Sequence, residues 1–135
     1  AALMKLLLDT HIWVWSQLEQ KRLGRRVARA LANPANEVWV SPISVWEILG
    51  LCRKGRLNLR PNAEAWIAES QTKIPFREAP VTNEVALETE RVVLPHYDPA
   101  DRFLAATAKA YGLTLVTADE NLLGGSGYAV LPNRQ

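Results

Sequence analysis

The sequence is poor in the residues from which redox and soft-metal sites are built: one cysteine, Cys52, and two histidines, His11 and His96, in 135 residues. A lone cysteine excludes an intramolecular disulfide framework, so a reducing cytoplasm is the expected compartment. Long hydrophobic runs are missing too. Leu6 to Leu8 and Ile12 to Trp15 fall far short of the roughly 18 apolar residues that suggest a membrane span, and no charged-then-apolar leader precedes them. A soluble protein with no membrane partner is expected. Charge of one sign is not in excess, since the formal net charge is +2, and composition alone makes no case for nucleic-acid binding. Repeats and low-complexity tracts are absent.

What is present fits one domain. With 48% apolar residues, a chain of this length buries about two-thirds of its unfolded surface and is too short to divide comfortably. Ala1-Ala2-Leu3 stand ahead of Met4 and are set aside as an addition before a native start, leaving 4–135 as a single domain. Positive charge is concentrated at Lys21, Arg22, Arg25, Arg26 and Arg29, a run that a solvated helix face also explains.

The segment Lys5 to Asp9 opens with three leucines, and a strand apolar on both faces belongs in the middle of a covered parallel sheet. Helices are expected over 10–18 and 23–31, the second stopped by Asn33-Pro34. Further strands are expected over 37–41, 76–79, 114–117 and 129–131. Ser41-Pro42 and Asp98-Pro99 are helix starts, with a capping side chain followed by a proline that has no N–H to leave unpaired. Their helices should run to about Lys54 and to Tyr111, with Gly55 and Gly112 as stops. A short helix is expected around 63–70 and another from Asn83 to Val92. Alternation of strands and helices predicts an α/β domain of three layers, α/β/α, around a central, mostly parallel sheet of four to five strands.

In such sheets ligands bind beyond the carboxyl ends of the strands. Asp9 terminates the first strand, and Asp119 follows the fourth by one intervening residue. Glu47 shares a helical face with Ile43, Trp46, Gly50 and Leu51, expected to be the side packed on the sheet. A carboxylate there needs a cation, a hydrogen-bond network or a wet cleft, because burying it unpaired costs several kcal/mol. Asp101 lies one turn into the helix opened by Asp98. Structural roles are open to each: Asp98 as a cap, Asp101 at the positive end of the helix dipole, Asp119 as cap of a short turn, Glu47 paired with Arg53 or Lys54. Four carboxylates at one edge without histidine or thiol partners suit a hard cation, Mg²⁺ or Mn²⁺, rather than zinc. Trp13 and Trp46 are expected in the core, whereas an outward-facing early tryptophan suits a partner contact.

Four segments then carry a resemblance: Leu-Leu-Leu-Asp-Thr-His at 6–11, Val-Ser-Pro-Ile-Ser-Val-Trp-Glu-Ile at 40–48, Asp-Pro-Ala-Asp-Arg-Phe-Leu-Ala-Ala-Thr-Ala at 98–108, and Leu-Val-Thr-Ala-Asp-Glu-Asn-Leu at 115–122. In this order and at these separations the chain resembles PIN-domain ribonucleases, specifically the VapC-type toxins of toxin–antitoxin pairs. The resemblance implies an endoribonuclease that hydrolyses RNA phosphodiester bonds with Mg²⁺ or Mn²⁺. Asp9, Glu47, Asp101 and Asp119 would be its catalytic and metal-binding acids, with Thr10 and Thr117 as supporting polar residues. It also implies a homodimer silenced by a cognate antitoxin. Arg102 and His96 match positions that could contact RNA or phosphate, although a loop hydrogen bond suits His96 better. The competing reading is a catalytically idle PIN-like module that binds an antitoxin or RNA, against which the complete acid set argues. A receiver domain would need an acidic pair after the first strand and a lysine after a late one. A haloacid dehalogenase-type phosphatase would need an aspartate where His11 stands.

Overall fold

The structure, a computed structural model, describes residues 3–134; of the leading addition inferred from sequence, Ala1 and Ala2 lie outside the described residues. The chain runs β1 (Lys5–Leu8), α1 (Thr10–Leu18), a 3₁₀ turn (Gln20–Arg22), α2 (Arg25–Ala32), β2 (Glu37–Val40), α3 (Pro42–Arg53), α4 (Ala63–Lys73), β3 (Arg77–Glu78), α5 (Asn83–Glu88), α6 (Pro99–Tyr111), β4 (Thr114–Thr117), α7 (Glu120–Leu123) and β5 (Ala129–Pro132).

The five strands form one sheet in the order β3-β2-β1-β4-β5, and every pairing is parallel. β1 is the central strand, as its leucines require: Leu6, Leu7 and Leu8 are fully buried. Successive side chains of a strand point to opposite faces. Leu6 and Leu8 accordingly join a cluster with Ile12, Trp13, Val27 and Ile48, while Leu7 joins Leu104, Ala105, Leu115 and Leu122 on the other side. Each leucine contributes about 1.5–3 kcal/mol by leaving water. Helices thus cover both faces, giving the expected three layers.

The proline starts behave as anticipated. Ser41 Oγ accepts from Ile43 N at 3.0 Å, Asp98 Oδ1 accepts from Asp101 N at 3.1 Å, and Gly112 ends α6 at φ 65°. Two expectations are corrected. α5 stops at Glu88 instead of reaching Val92, because the chain must turn to let Val93 exchange two backbone hydrogen bonds with Ser126, at 3.1 and 2.9 Å. Gly125 permits that approach, since a Cβ there would lie 2.5 Å from the Val93 carbonyl oxygen. The buried face of α3 is also misassigned. Ser44 and Ile48 are buried, whereas Trp46 is 62% exposed, so Trp46 is not a core residue. α3 packs on α1, α4 and α6, and the side chains that meet them are those of the Ser44–Ile48 row, leaving Glu47 on its flank. Trp13 does lie in the core, fully buried, with its indole N–H donating to Ser70 Oγ at 2.6 Å.

Candidate active site

Strand order reverses beside β1: its chain neighbour β2 lies on one side and β4 on the other. The crevice beyond the carboxyl ends of β1 and β4 is therefore a topological switch point, where the sheet itself leaves room for a ligand. Asp9 leaves β1 at that point. Its N–H continues the ladder to Val116 O at 3.0 Å, and its Oδ1 caps α1 by accepting from Thr10 N at 2.7 Å. Its Oδ2 accepts from the Thr117 hydroxyl at 2.7 Å, which ties the ends of the two strands together. Thr117 Oγ1 in turn accepts from Asp119 N at 3.0 Å.

α3 and α6 bring the other acids to the same crevice. Thr10 Oγ1 donates to Glu47 Oε1 at 2.5 Å and lies 2.9 Å from Ser44 Oγ. Asn121 Nδ2 donates to Asp101 Oδ2 at 3.0 Å. Asp119 accepts from Asn121 N at 2.8 Å and so caps α7, which places its carboxylate and the asparagine together. Asp9, Glu47, Asp98, Asp101 and Asp119 line one open pocket of about 390 Å³, with Thr10, His11, Ile12, Trp15, Arg22 and Ala118 completing its walls.

The pocket is electrostatically unbalanced. Among the described residues, no ion pair within 4 Å involves any of these five acids; the pairs present are Arg22–Glu19, Lys73–Glu69, Arg77–Glu37, Arg91–Glu88 and Lys109–Glu88. The expected alternative in which Arg53 or Lys54 neutralises Glu47 is thus not realised. Burial pushes the Asp9 carboxyl above its ordinary value against the pull of the Thr117 and Thr10 hydrogen bonds, and the charge of Asp119 adds to the rise. Burial also raises Glu47, opposed by Thr10 and helped by Asp9 and Asp98. Asp101 is pushed up to about 7, first by burial, with Asp119, Asp98 and Asp9 adding to it against the Asn121 hydrogen bond. The same environment raises the Tyr128 hydroxyl to about 12, through burial and then Asp101 and Asp119.

Such a set of mutually repelling carboxylates is what a hard cation offsets, and its donors are mainly oxygens, although His11, which the sequence did not place with the acids, also lines the pocket. The carboxylates do not form a tight direct cage: among the described residues, no three acidic, histidine or cysteine side chains sit close enough to hold one ion together. Mg²⁺ nonetheless fits this arrangement, because it dehydrates reluctantly and is commonly held through one or two carboxylates, several waters and substrate phosphate.

Neither Arg102 nor His96, the two possible phosphate contacts, lines this pocket. Arg102 turns from the pocket: its guanidinium donates to Thr89 O at 2.7 Å and to Val92 O at 3.3 Å and lies over the Tyr97 ring at 5.3 Å. His96 is exposed and is fixed through its backbone, donating N–H to Asn121 Oδ1 at 2.8 Å and accepting from Asn121 Nδ2 at 3.0 Å. Asn121, which bridges that loop and Asp101, was not singled out from sequence. Its only signal was its place two residues after Asp119 in the last motif. Trp15, one of the tryptophans that the sequence places beside the acids, does line the pocket, whereas Arg22 carries no sign of it in the basic run.

Comparison with known proteins agrees with this geometry. A family model described as PIN domain matches residues 6–124. Ribonuclease VapC22 of Mycobacterium tuberculosis is 33% identical over 120 residues, which cover 87% of this chain and 88% of that protein. The crystal structure of VapBC2 from Rickettsia felis, bound to a DNA fragment from their promoter, superposes with a TM-score of 0.73 at 15% identity, over 97% of this chain and 100% of that one. VapBC-5 from Mycobacterium tuberculosis, described as a member of the VapBC family of toxin-antitoxin systems, superposes with a TM-score of 0.58 at 20% identity, over 97% and 98%. These two structural likenesses speak for the fold alone. The family match across most of the chain, together with the VapC22 relative, establishes that the chain belongs to the PIN-domain family, among the VapC-type ribonucleases.

Proposed function

We propose that this protein is an endoribonuclease dependent on Mg²⁺ or Mn²⁺, hydrolysing RNA phosphodiester bonds as the toxin of a toxin–antitoxin pair. The observation that carries the reading is the pocket at the β1/β4 switch point, where five acids gather without a basic residue paired to any of them. Asp9, Glu47, Asp101 and Asp119 would surround the cation, one or two of them directly and the others through its waters. When bound, it supplies charge neutralisation for the phosphodiester and acidification of the attacking water.

The chain's own residues supply the positioning. Thr117 and the Thr10 N–H fix both oxygens of Asp9, and the Thr10 hydroxyl fixes one oxygen of Glu47. These bonds hold two carboxylates in single orientations before any ligand arrives, which spares reorganisation during reaction. Asn121 holds one oxygen of Asp101 and leaves the other without a protein donor among the described residues. Hydrolysis adds water across the phosphodiester: the water oxygen bonds to phosphorus, the bond to the leaving oxygen breaks, and that oxygen gains a proton.

Family membership supports the toxin role, and with it a cognate antitoxin as partner and a homodimer as the assembly. The enzymatic reading is tested by incubating the protein with structured RNA and Mg²⁺ or Mn²⁺ beside Asp9→Asn, Asp101→Asn and an EDTA control. Cleavage is expected for the unaltered protein with metal and for none of the others. Cleavage that survives EDTA or either substitution refutes the assignment.

A further inference from the structure

The acid pocket has one arginine in its wall, and it is held away from the acids. Arg22 Nε pairs with Glu19 Oε2 at 3.0 Å, and its guanidinium carbon lies 5.0 Å from the centre of the Trp15 ring. Trp15 in turn stands against His11, with ring centroids 5.8 Å apart. Arg22, Trp15 and His11 all line the pocket that holds Asp9, Glu47, Asp98, Asp101 and Asp119. An arginine with five neighbouring carboxylates that instead keeps an exposed pair and an aromatic stack is pre-positioned, with its charge available to an anion entering the pocket. A planar guanidinium lying on an aromatic ring is also a surface on which phosphate and base can be bound together.

The positive charge continues beyond Arg22. Gly24 caps α2 two residues later, and Arg25, Arg26 and Arg29 on α2 are exposed. None of the three forms an ion pair among the described residues. Arg29 is three residues from Arg26 and four from Arg25, so its side chain is a neighbour of both on the helix surface. Three adjacent unpaired arginines repel one another, and a polyanion lying across them would offset that repulsion. The hydrophobic side of α2 is occupied by buried Val27, so the arginines cannot be explained as partners of the core.

We infer that Arg22, stacked on Trp15, receives a phosphate of the RNA strand at the acid pocket, and that Arg25, Arg26 and Arg29 on α2 carry the phosphates that follow. The inference rests on the ribonuclease reading and deepens it by giving the substrate a path. A flexible single strand suits this path, because the stack offers a face for an unpaired base while the α2 arginines contact backbone alone.

The test uses the full chain and fluorescently labelled single-stranded RNA of about 3 and about 12 nucleotides, lengths that bracket the site sizes of single-strand binders. Binding is read by anisotropy in the Asp101→Asn background with Mn²⁺ over a range of salt, and cleavage is read as kcat and KM in the otherwise unaltered protein. Arg22→Ala should weaken binding and raise KM for both lengths by about tenfold, the scale of one charge-assisted contact. It should also reduce the slope of log affinity against log salt by about 0.7, whereas Arg22→Lys keeps the slope. Replacing Arg25, Arg26 and Arg29 together by alanine should reduce the slope by about 2 for the long RNA and leave the short one unchanged. Thermal unfolding of each variant identifies loss of folding, and a misfolded Arg22→Ala is replaced by Arg22→Gln for the same slope measurement. Metal-dependent cleavage with salt slopes and KM unmoved by both sets of substitutions overturns the path alone, and assigns the arginines to another partner such as an acidic peptide. Failure of the unaltered protein to cleave, with slopes still dependent on the arginines, sinks the ribonuclease reading and keeps the path.

Discussion

Asp101→Asn should stabilise the metal-free protein, and the gain should depend on pH in a defined direction. Asp101 is nearly buried, at 8% exposure, and its carboxyl is raised from 3.8 to about 7 by burial and by Asp119, Asp98 and Asp9. The folded state therefore holds this proton more tightly than the unfolded chain does. Well below its ordinary value of 3.8 the group is protonated in both states and contributes nothing. As pH rises towards 7 the unfolded chain ionises first, and folding is progressively disfavoured; above 7 the penalty is complete. The rise corresponds to an upper bound of about 4 kcal/mol at about 1.4 kcal/mol per pH unit, which screening at the open mouth of the pocket reduces to about 1–2 kcal/mol. The asparagine oxygen can still accept from Asn121, so that hydrogen bond is kept. For a chain of this size the expected increase in Tm is about 5 °C at pH 8 and close to none at pH 4. Thermal unfolding in EDTA, followed by circular dichroism at both pH values, measures it. An unchanged or lowered Tm at pH 8 would refute the claim that these carboxylates strain one another.

Other substitutions probe the supports of the site and the core. Thr117→Val removes the hydroxyl that donates to Asp9 Oδ2; about a tenfold loss of Mn²⁺ affinity by calorimetry is expected, the usual scale for a lost orienting partner. Trp13→Ala removes a fully buried indole packed on Trp66 and Phe76 and should cost about 3–5 kcal/mol in urea unfolding; a loss under 1 kcal/mol contradicts the core assignment. Glu88, held below its ordinary carboxylate value first by Lys109 and then by Arg91, tests the link of α5 to α6. Its ionised form is favoured in the folded state, so its contribution is present above about pH 4.5, the ordinary glutamate range, and is lost as pH falls through the lower folded value. Glu88→Gln should accordingly lower Tm at pH 7 and have little effect near pH 2.

Much of the site was readable because its residues sit where chain order alone puts them. Leu6-Leu7-Leu8 could only be a strand covered on both faces, so Asp9 had to emerge at the carboxyl edge of the sheet. Thr114 to Thr117 placed Asp119 beside it in the same way, and Asp98-Pro99 fixed the first turn that presents Asp101. The orientation of α3 was less legible, because Ile43, Val45, Trp46, Ile48, Leu49 and Leu51 make the helix apolar nearly all round. Periodicity cannot choose a face there, and Trp46 was assigned to the wrong one. Contacts between distant segments were beyond local reasoning as well. Arg102 is occupied by the carbonyls of Thr89 and Val92, and α5 ends early because Val93 pairs with Ser126. Asn121 was hidden by its type: an asparagine in a first helical turn carries no sign of the carboxylate it holds until α6 and α7 are seen side by side.

The central claim is that the carboxylates at the β1/β4 crevice share a divalent cation. Anomalous diffraction from crystals soaked in Mn²⁺ tests it most directly. A peak within the pocket lined by Asp9, Glu47, Asp101 and Asp119, absent from crystals of Asp9→Asn, is the predicted result. Saturating Mn²⁺ with no peak in that pocket, or an undiminished peak in the variant, would contradict it.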